Sequence, residues 1–278
     1  MKRIITGIIA ASLCLAAAAQ TAEDYSRRYR NLVARVGFDG IGVSSLIDSW
    51  EKADSAGIDP LVARFSYHFA RSRRDSVVSK PGRKYLGMEP VLTLKDSTGN
   101  DINWFKEPVF DASEFNQAIS YLDMAISSDN TRLDLLLTMA DSFLQYEKGR
   151  PVQSLAQLTD LVDRHFTEKP VWTYRGTDVI DDGDFCGEIQ GRCFEMYSKG
   201  TDEAYEAFRS LSERVLKYDR NNVNFINNIG AYYLVCRGND KTALKYYRKS
   251  LKIKPDDETA QKNIRLIERR AAATAKGR

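Results

Sequence analysis

The stretch FINNIGAYYLVCRGNDKTALKYYRKSLKIKP, residues 225–255, decides the fold. Its first half sets Ile226, Ile229, Gly230 and Tyr233 at three- and four-residue steps, which gathers them on one side of a helix. Gly238-Asn239-Asp240 then breaks that helix, and a second one presents Ala243, Tyr247 and Ser250 at the same kind of spacing. Pro255 cannot continue it and so ends it. Gly230 and Ala243 are small where two antiparallel helices would cross, while Ile226, Tyr233 and Tyr247 supply the bulk beside that crossing. One ordinary helical hairpin would use the same residues; the full set of spacings points to a repeat.

This order of large residue, apolar-Gly pair, aromatic, then Ala, aromatic and closing Pro resembles the tetratricopeptide repeat. Ile226 stands where that family prefers Trp, Ser250 replaces a second small Ala, and the inter-helix turn is one residue longer. A looser copy precedes it. Gly191 with Phe194 echoes Gly230 with Tyr233, and Ala204, Phe208 and Leu211 echo the second helix, at 39 residues from Gly191 to Gly230. The family period is about 34, so a second helix one turn longer is expected. Further upstream, Ala118, Leu122 and Ala125, followed by Asp129-Asn130, repeat the second-helix spacing. The resemblance implies a mostly α fold: a right-handed helical-hairpin solenoid of tetratricopeptide type. In such arrays the first helix of each hairpin lines a concave groove, which would put Glu188, Arg192, Asn224, Asn227, Ala231, Lys262 and Arg269 on that face. Asn224 and Asn227 can pair with the backbone of an extended peptide. The family's carboxylate-gripping version has Asn where Ala231 stands, so specificity for a C-terminal carboxylate does not carry over. For each of these residues the other reading is an ordinary solvated side chain.

Outward from this region, apolar periodicity predicts helices at about 23–36, 43–55, 59–74, 112–128, 131–147, 151–166, 184–199, 201–218, 222–236, 240–253 and 256–272. Gly37 and Gly40 follow the first, Asp59 and Pro60 open the third, and Gly149 and Pro151 separate the fifth from the sixth. Thr201 is a candidate cap, with Ala204 excluding a capping box. Residues 91–95 and 101–105 alternate around a Gly99 turn and read as a small β-hairpin insertion, with an ordered irregular loop as the alternative. Leu92, Leu94, Ile102 and Trp104 are expected to lay one face of it on the helices. Residues 167–183, with Pro170, Trp172 and Tyr174, read as a second insertion within the array. The last helix opens on Asp256, Asp257 and Glu258 and closes with Arg269 and Arg270, the polarity its dipole favours, and reads as a solvating cap. The expected organisation is a signal peptide over 1–19, an N-terminal helical region with the β-hairpin over 20–110, divergent hairpins with an insertion over 111–183, and the clear repeats and capping helix over 184–278.

Lys2 and Arg3, the apolar run Ile4 to Leu15 and the small residues Ala16 to Ala19 have the layout of a signal peptide cut near Ala19. Export to the periplasm or medium is expected. The apolar run is shorter than the roughly 20 residues of a spanning helix, which is the alternative reading, and Leu13 is too large before Cys14 for lipoprotein processing. No later stretch suggests a membrane span in the mature chain. The 41 Lys and Arg against 38 Asp and Glu fall to 39 against 38 without Lys2 and Arg3, so net charge gives no case for nucleic acid.

Catalytic chemistry finds little support. The chain has two histidines, His68 and His165, and no metal-binding spacing, nucleophile motif or phosphate loop accompanies either. We expect no enzyme activity, metal or cofactor, and structural roles for both histidines. Asp178, Asp181, Asp182 and Asp184 invite a calcium reading, but Ile180 and Ile189 occupy ligand positions of the EF-hand spacing, leaving a solvated loop with Asp184 capping the next helix. Cys186 and Cys193 are seven apart on one helix, about 10 Å along its axis and too far to bond. Cys193 and Cys236 lie on neighbouring hairpins, so a disulfide and free buried thiols both remain open. The expected partner is a protein or extended peptide. The alternative is carbohydrate, stacked on Trp104, Trp172 or Tyr174.

Overall fold

The computed structural model describes residues 22–276; the expected signal peptide, its cut near Ala19 and Cys14 lie outside the described residues. In chain order the elements are α1 (22–36), α2 (Val43–Ala53), α3 (Ile58–Ser72), β1 (Arg73–Lys80), β2 (Leu92–Lys95), β3 (Asp101–Phe110), α4 (Ala112–Ser128), α5 (Leu133–Glu147) and α6 (Val152–Glu168). They continue with β4 (Thr173–Tyr174), β5 (Asp178–Val179), α7 (Asp182–Ser198), α8 (Asp202–Tyr218), α9 (Val223–Ala231), α10 (Asp240–Ile253) and α11 (Glu258–Lys276). The fold is mostly helical with a small sheet, as expected.

One spacing organises the even-numbered helices. Buried residues fall at a first position, four later and three later again: Val43, Ile47 and Trp50 in α2; Ala118, Leu122 and Ala125 in α4; Ser154, Leu158 and Leu161 in α6; Ala204, Phe208 and Leu211 in α8; Ala243, Tyr247 and Ser250 in α10. None of these is more than 4% exposed. Such steps give each helix one inward stripe. The chain also leaves four of the five by the same turn. The N–H groups of Gly57, Arg132, Asn222 and Asp257 donate to the carbonyls of Asp54, Asp129, Asp219 and Lys254, at 3.1–3.4 Å. Each carbonyl belongs to the helix's C-cap residue, where φ runs from −111° to −150°. The elements therefore read as hairpins α1/α2, α3/α4, α5/α6, α7/α8 and α9/α10, followed by α11. This is tetratricopeptide-type architecture, and the stripe reaches α2 and α6, where the sequence did not reveal it.

The chain divides into two compact units. One comprises residues up to Ser76 together with Glu107–Leu135. Its core joins Tyr29 of α1, Val43, Ile47 and Trp50 of α2 and Ala63 of α3, with Tyr25 stacked on Trp50 at 6.4 Å. Arg64 of α3 is buried and reaches back to α2, bonding Asp48 at 2.6 Å and Glu51 at 2.7 and 3.0 Å, which satisfies a charge that would otherwise be costly there. His68 is held between helices: its Nδ1 lies 2.7 Å from Glu114 and its ring stacks on Tyr121.

The other unit comprises Val77–Lys106 and Leu136–Arg278. Here α7 packs on α8, α8 on α9, α9 on α10 and α10 on α11. Gly230 lets α9 and α10 approach closely: a Cβ on it would sit 2.8 Å from the Tyr247 ring. The extra residue between α9 and α10 is taken up by a π-helical turn, Tyr232–Cys236, where the sequence predicted a regular helix to residue 236. The expected longer second helix is present, α8 having 17 residues against 14 in α10.

Other expectations need correction. Gly191 is exposed with nothing within 4 Å of a Cβ, and Phe194 is 62% exposed, so they do not match Gly230 and Tyr233. The small inward position of α7 is instead Cys193, fully buried with its Sγ 3.7 Å from Ser212 Oγ of α8. The β2–β3 hairpin forms in the register Leu92 to Trp104 and Leu94 to Ile102, but β3 is the middle strand of three, with β1 on its other side. β1 begins where α3 was expected to continue. Leu92 and Leu94 are each 48% exposed rather than laid on helices. The insertion instead docks at Gly87, whose φ of +81° and approach to the Ser198 carbonyl leave no room for a Cβ. Asp181, not Asp184, caps α7, accepting from the Asp184 N–H at 2.8 Å. Thr201 caps α8 as expected.

The second insertion is anchored. Trp172 is 1% exposed, stacks on Phe185 of α7 and donates its indole N–H to Nδ1 of His165 in α6 at 3.1 Å. Cys186, Cys193 and Cys236 are all free. Burial pushes the Cys193 thiol up to about 12 and those of Cys186 and Cys236 to about 11, which suits packing rather than reactivity.

Candidate functional site

The odd-numbered helices of the second unit carry the residues that the repeat reading places in a groove. In α7, Glu188 and Arg192 are one helical turn apart and share an ion pair. Arg192 also forks onto Asp141 of α5, its Nε to Oδ1 at 3.1 Å and its Nη2 to Oδ2 at 2.7 Å. One guanidinium thus ties α5 to α7 and faces two carboxylates, a planar two-point geometry that Lys could not reproduce. Burial raises the Asp141 carboxyl above its usual range against the pull of Arg192, with Glu188 and Glu195 pushing the same way as burial. Arg192 loses hydration by burial, yet its two acid partners hold it more firmly protonated.

Beside this cluster is an open trough of about 390 Å³ lined by Asp141, Leu144, Gln145, Gly191, Arg192, Glu195 and Lys199. Gly191 keeps its floor low: an exposed helical glycine contributes backbone where a side chain would fill the space. The lining offers a Leu for apolar contact, carboxylates as acceptors and Lys199 as a donor. That mixture suits hydrogen bonding to a polypeptide backbone and basic side chains.

The remaining expected residues lie elsewhere in the unit. Asn224 is exposed and Ala231 half-buried, both on α9. Asn227 is 7% exposed, and its amide donates to Oδ2 of Asp257 at 2.6 Å. Asp257 also accepts from Ser250 of α10 at 2.6 Å, so Asn227 helps join three helices. Asn228, not singled out by the sequence, exchanges bonds with Gln190 of α7 and donates to Ser212 of α8. On α11, Lys262 is exposed and pairs with Glu258 at 2.9 Å, and Arg269 is exposed. The structure therefore joins Glu188 to Arg192, and puts Asn227 in a separate buried network. Asp141 was missed because its partner lies 51 residues away. One signal existed: Ser154 of α6 precedes its counterpart Ala204 by 50 residues, an offset that carries Arg192 back to Ser142, next to Asp141.

Of the aromatics considered for sugar stacking, Trp172 is buried and Trp104 and Tyr174 are half-buried, with the indole N–H of Trp104 enclosed. Among the described residues no cluster of His, Cys, Asp and Glu could hold a metal, and no helix is long and apolar enough to cross a membrane.

No family model and no curated protein matches the chain. Among solved structures it is similar to MamA at 12% identity, covering 85% of this chain and 93% of that one, with a TM-score of 0.41. It is similar to YrrB, described as a TPR protein with an unusual peptide-binding site, at 13% identity, 88% of each chain and a TM-score of 0.38. It is also similar to MamA (residues 41 to the end) from Desulfovibrio magneticus RS-1 at 9% identity, covering 86% of this chain and 97% of that one, with a TM-score of 0.37. These likenesses are loose, and the hairpin repeat stands on the chain's own residues.

Proposed function

We propose that the chain is an exported, non-catalytic scaffold that holds an extended segment of another polypeptide along the odd-numbered helices of its second unit. The observation that supports this most directly is the Asp141–Arg192–Glu188 cluster beside an open trough. It fixes two acceptor-rich acids on rigid helices, and rigid elements position contacts better than loops do. A segment carrying Lys or Arg fits this lining, pairing with the carboxylates of Asp141 and Glu195 while its backbone meets Lys199. The buried Trp172 gives the carbohydrate alternative less to stand on.

Photo-crosslinking tests the reading. Benzoylphenylalanine replaces exposed Glu195 at the trough or, as a control, exposed Gln157 on α6. In native extract we expect a discrete polypeptide adduct from position 195 and none from 157, lost when a Lys-containing competitor peptide is added. Adducts of equal yield from both positions, or none from 195, would refute groove binding.

A further inference from the structure

The outer face of α10 has a character found nowhere else in the sequence's balance. Residues 240–278 hold 12 Lys and Arg against 5 Asp and Glu, a net +7, although the whole chain is only +3, leaving −4 for the rest. On α10 this charge is sorted by side. Ala243, Tyr247 and Ser250 face inward, while the exposed residues are Lys241, Lys245, Arg248, Lys249, Lys252 and Ile253. Five of those six are cations and none is an acid.

Four of the five cations are not used internally. Lys249 donates to the Arg220 carbonyl at 3.0 Å, but Lys241, Lys245, Arg248 and Lys252 make no ion pair among the described residues. Asp240 and Asp256 stand at the two ends of α10, outside the run of cations, and of the acids on packed helices Glu213 of α8 pairs with Arg209, Glu258 of α11 with Lys262, and Asp257 with Ser250 and Asn227. Lysines from 241 to 252 span about 16 Å of helix, bordering a shallow trough. Its volume is about 710 Å³, with the Tyr246 ring, stacked on Tyr233, in its lining.

We propose that this face docks the chain on an anionic lipid bilayer through phosphate headgroups. Charge complementarity is the argument, and the composition selects the partner. Lysine is a compact, hydrated point charge that attracts a charged plane without fixed geometry or full desolvation, and clusters of four to eight on an amphipathic helix suit such a plane. A protein interface needs an apolar anchor at its centre, and the exposed stripe has only Ile253 at its end. Nucleic acid would find no amide on α10 for base reading, and the aromatic beside the cations, Tyr246, is half-buried with its ring already stacked on Tyr233.

The test uses the chain from Gln20 onward, which contains every described residue, in co-sedimentation with vesicles. Phosphatidylcholine vesicles with about 30% phosphatidylglycerol are compared with phosphatidylcholine alone, at about 0.05 M and 0.5 M salt. Binding is expected only to the anionic vesicles at low salt. Each cation contributes roughly fivefold to partitioning, so the triple variant K241Q/K245Q/K252Q should lower it about a hundredfold. Circular dichroism of the variant, whose changes are all exposed, should match the parent. Equal binding to both vesicle types, no binding to the anionic ones, or full binding by the triple variant would overturn the proposal. So would a single-stranded oligonucleotide that binds the same face at a concentration where the vesicles do not.

Discussion

Two glycines thirty-nine residues apart behave oppositely. Gly230→Ala drives a methyl group into the Tyr247 ring, which is itself fully buried, and should cost about 1–3 kcal/mol by overpacking. Gly191→Ala meets open space in the middle of a helix and should stabilise by about 0.5–1 kcal/mol. Thermal melts of the two variants check this; equal shifts would contradict the placement of Tyr247 over Gly230 alone. The contrast also shows what was legible at this scale. The +4, +3 stripe could be read at Ala118, Ala204 and Ala243, where it begins with the small residue the family prefers. It was hidden at Val43, which is large, and at Ser154, which is polar. Gly191 misled because glycine marks either close packing or exposed backbone, and one sequence does not distinguish them.

Among the elements, the second insertion yields a pH dependence. The Trp172 indole donates to His165 Nδ1, so the bond requires a neutral ring carrying its proton on Nε2. Burial lowers the His165 pKa below its ordinary 6.5, with Asp182 opposing. The unfolded chain therefore takes up the proton first as pH falls, and stability present above pH 6.5 is lost on passing downward through the folded value, at up to about 1.4 kcal/mol per pH unit. Unfolding followed by tryptophan fluorescence at pH 7.5 and pH 5 should show the loss, and His165→Gln, which keeps an acceptor, should flatten it. Helices were easier to foresee than strands. β1 is missing from the sequence reading because RRDSVVSK puts polar Ser76 and Lys80 beside Val78 on its half-buried side and leaves Val77 exposed, so its hydrophobicity does not alternate with period two. The π turn after α9 was visible only as a surplus residue; whether that residue lengthens a loop or widens a helix depends on packing.

At the scale of the whole molecule, hairpins that cover one another leave the last one in need of a lid. Ala260 and Ile267 of α11 close over Leu234, Ala243 and Tyr247. A chain ending at Asp256 should expose that surface, bind a hydrophobic dye and run as aggregates in size-exclusion chromatography, while one ending at Ala271 should remain monodisperse. The candidate site was half legible: the first-helix positions gave Glu188 and Arg192, but the partner that makes them a cluster comes from a helix displaced by the second insertion. The recurring turn after α2, α4, α8 and α10 has its own implication. Because the backbone leaves these helices by one shared hydrogen-bonded geometry, the seams are interchangeable joints. A segment running from just after Asp219 to Lys254 could be spliced in twice, growing the molecule by a hairpin without asking the chain to learn a new corner.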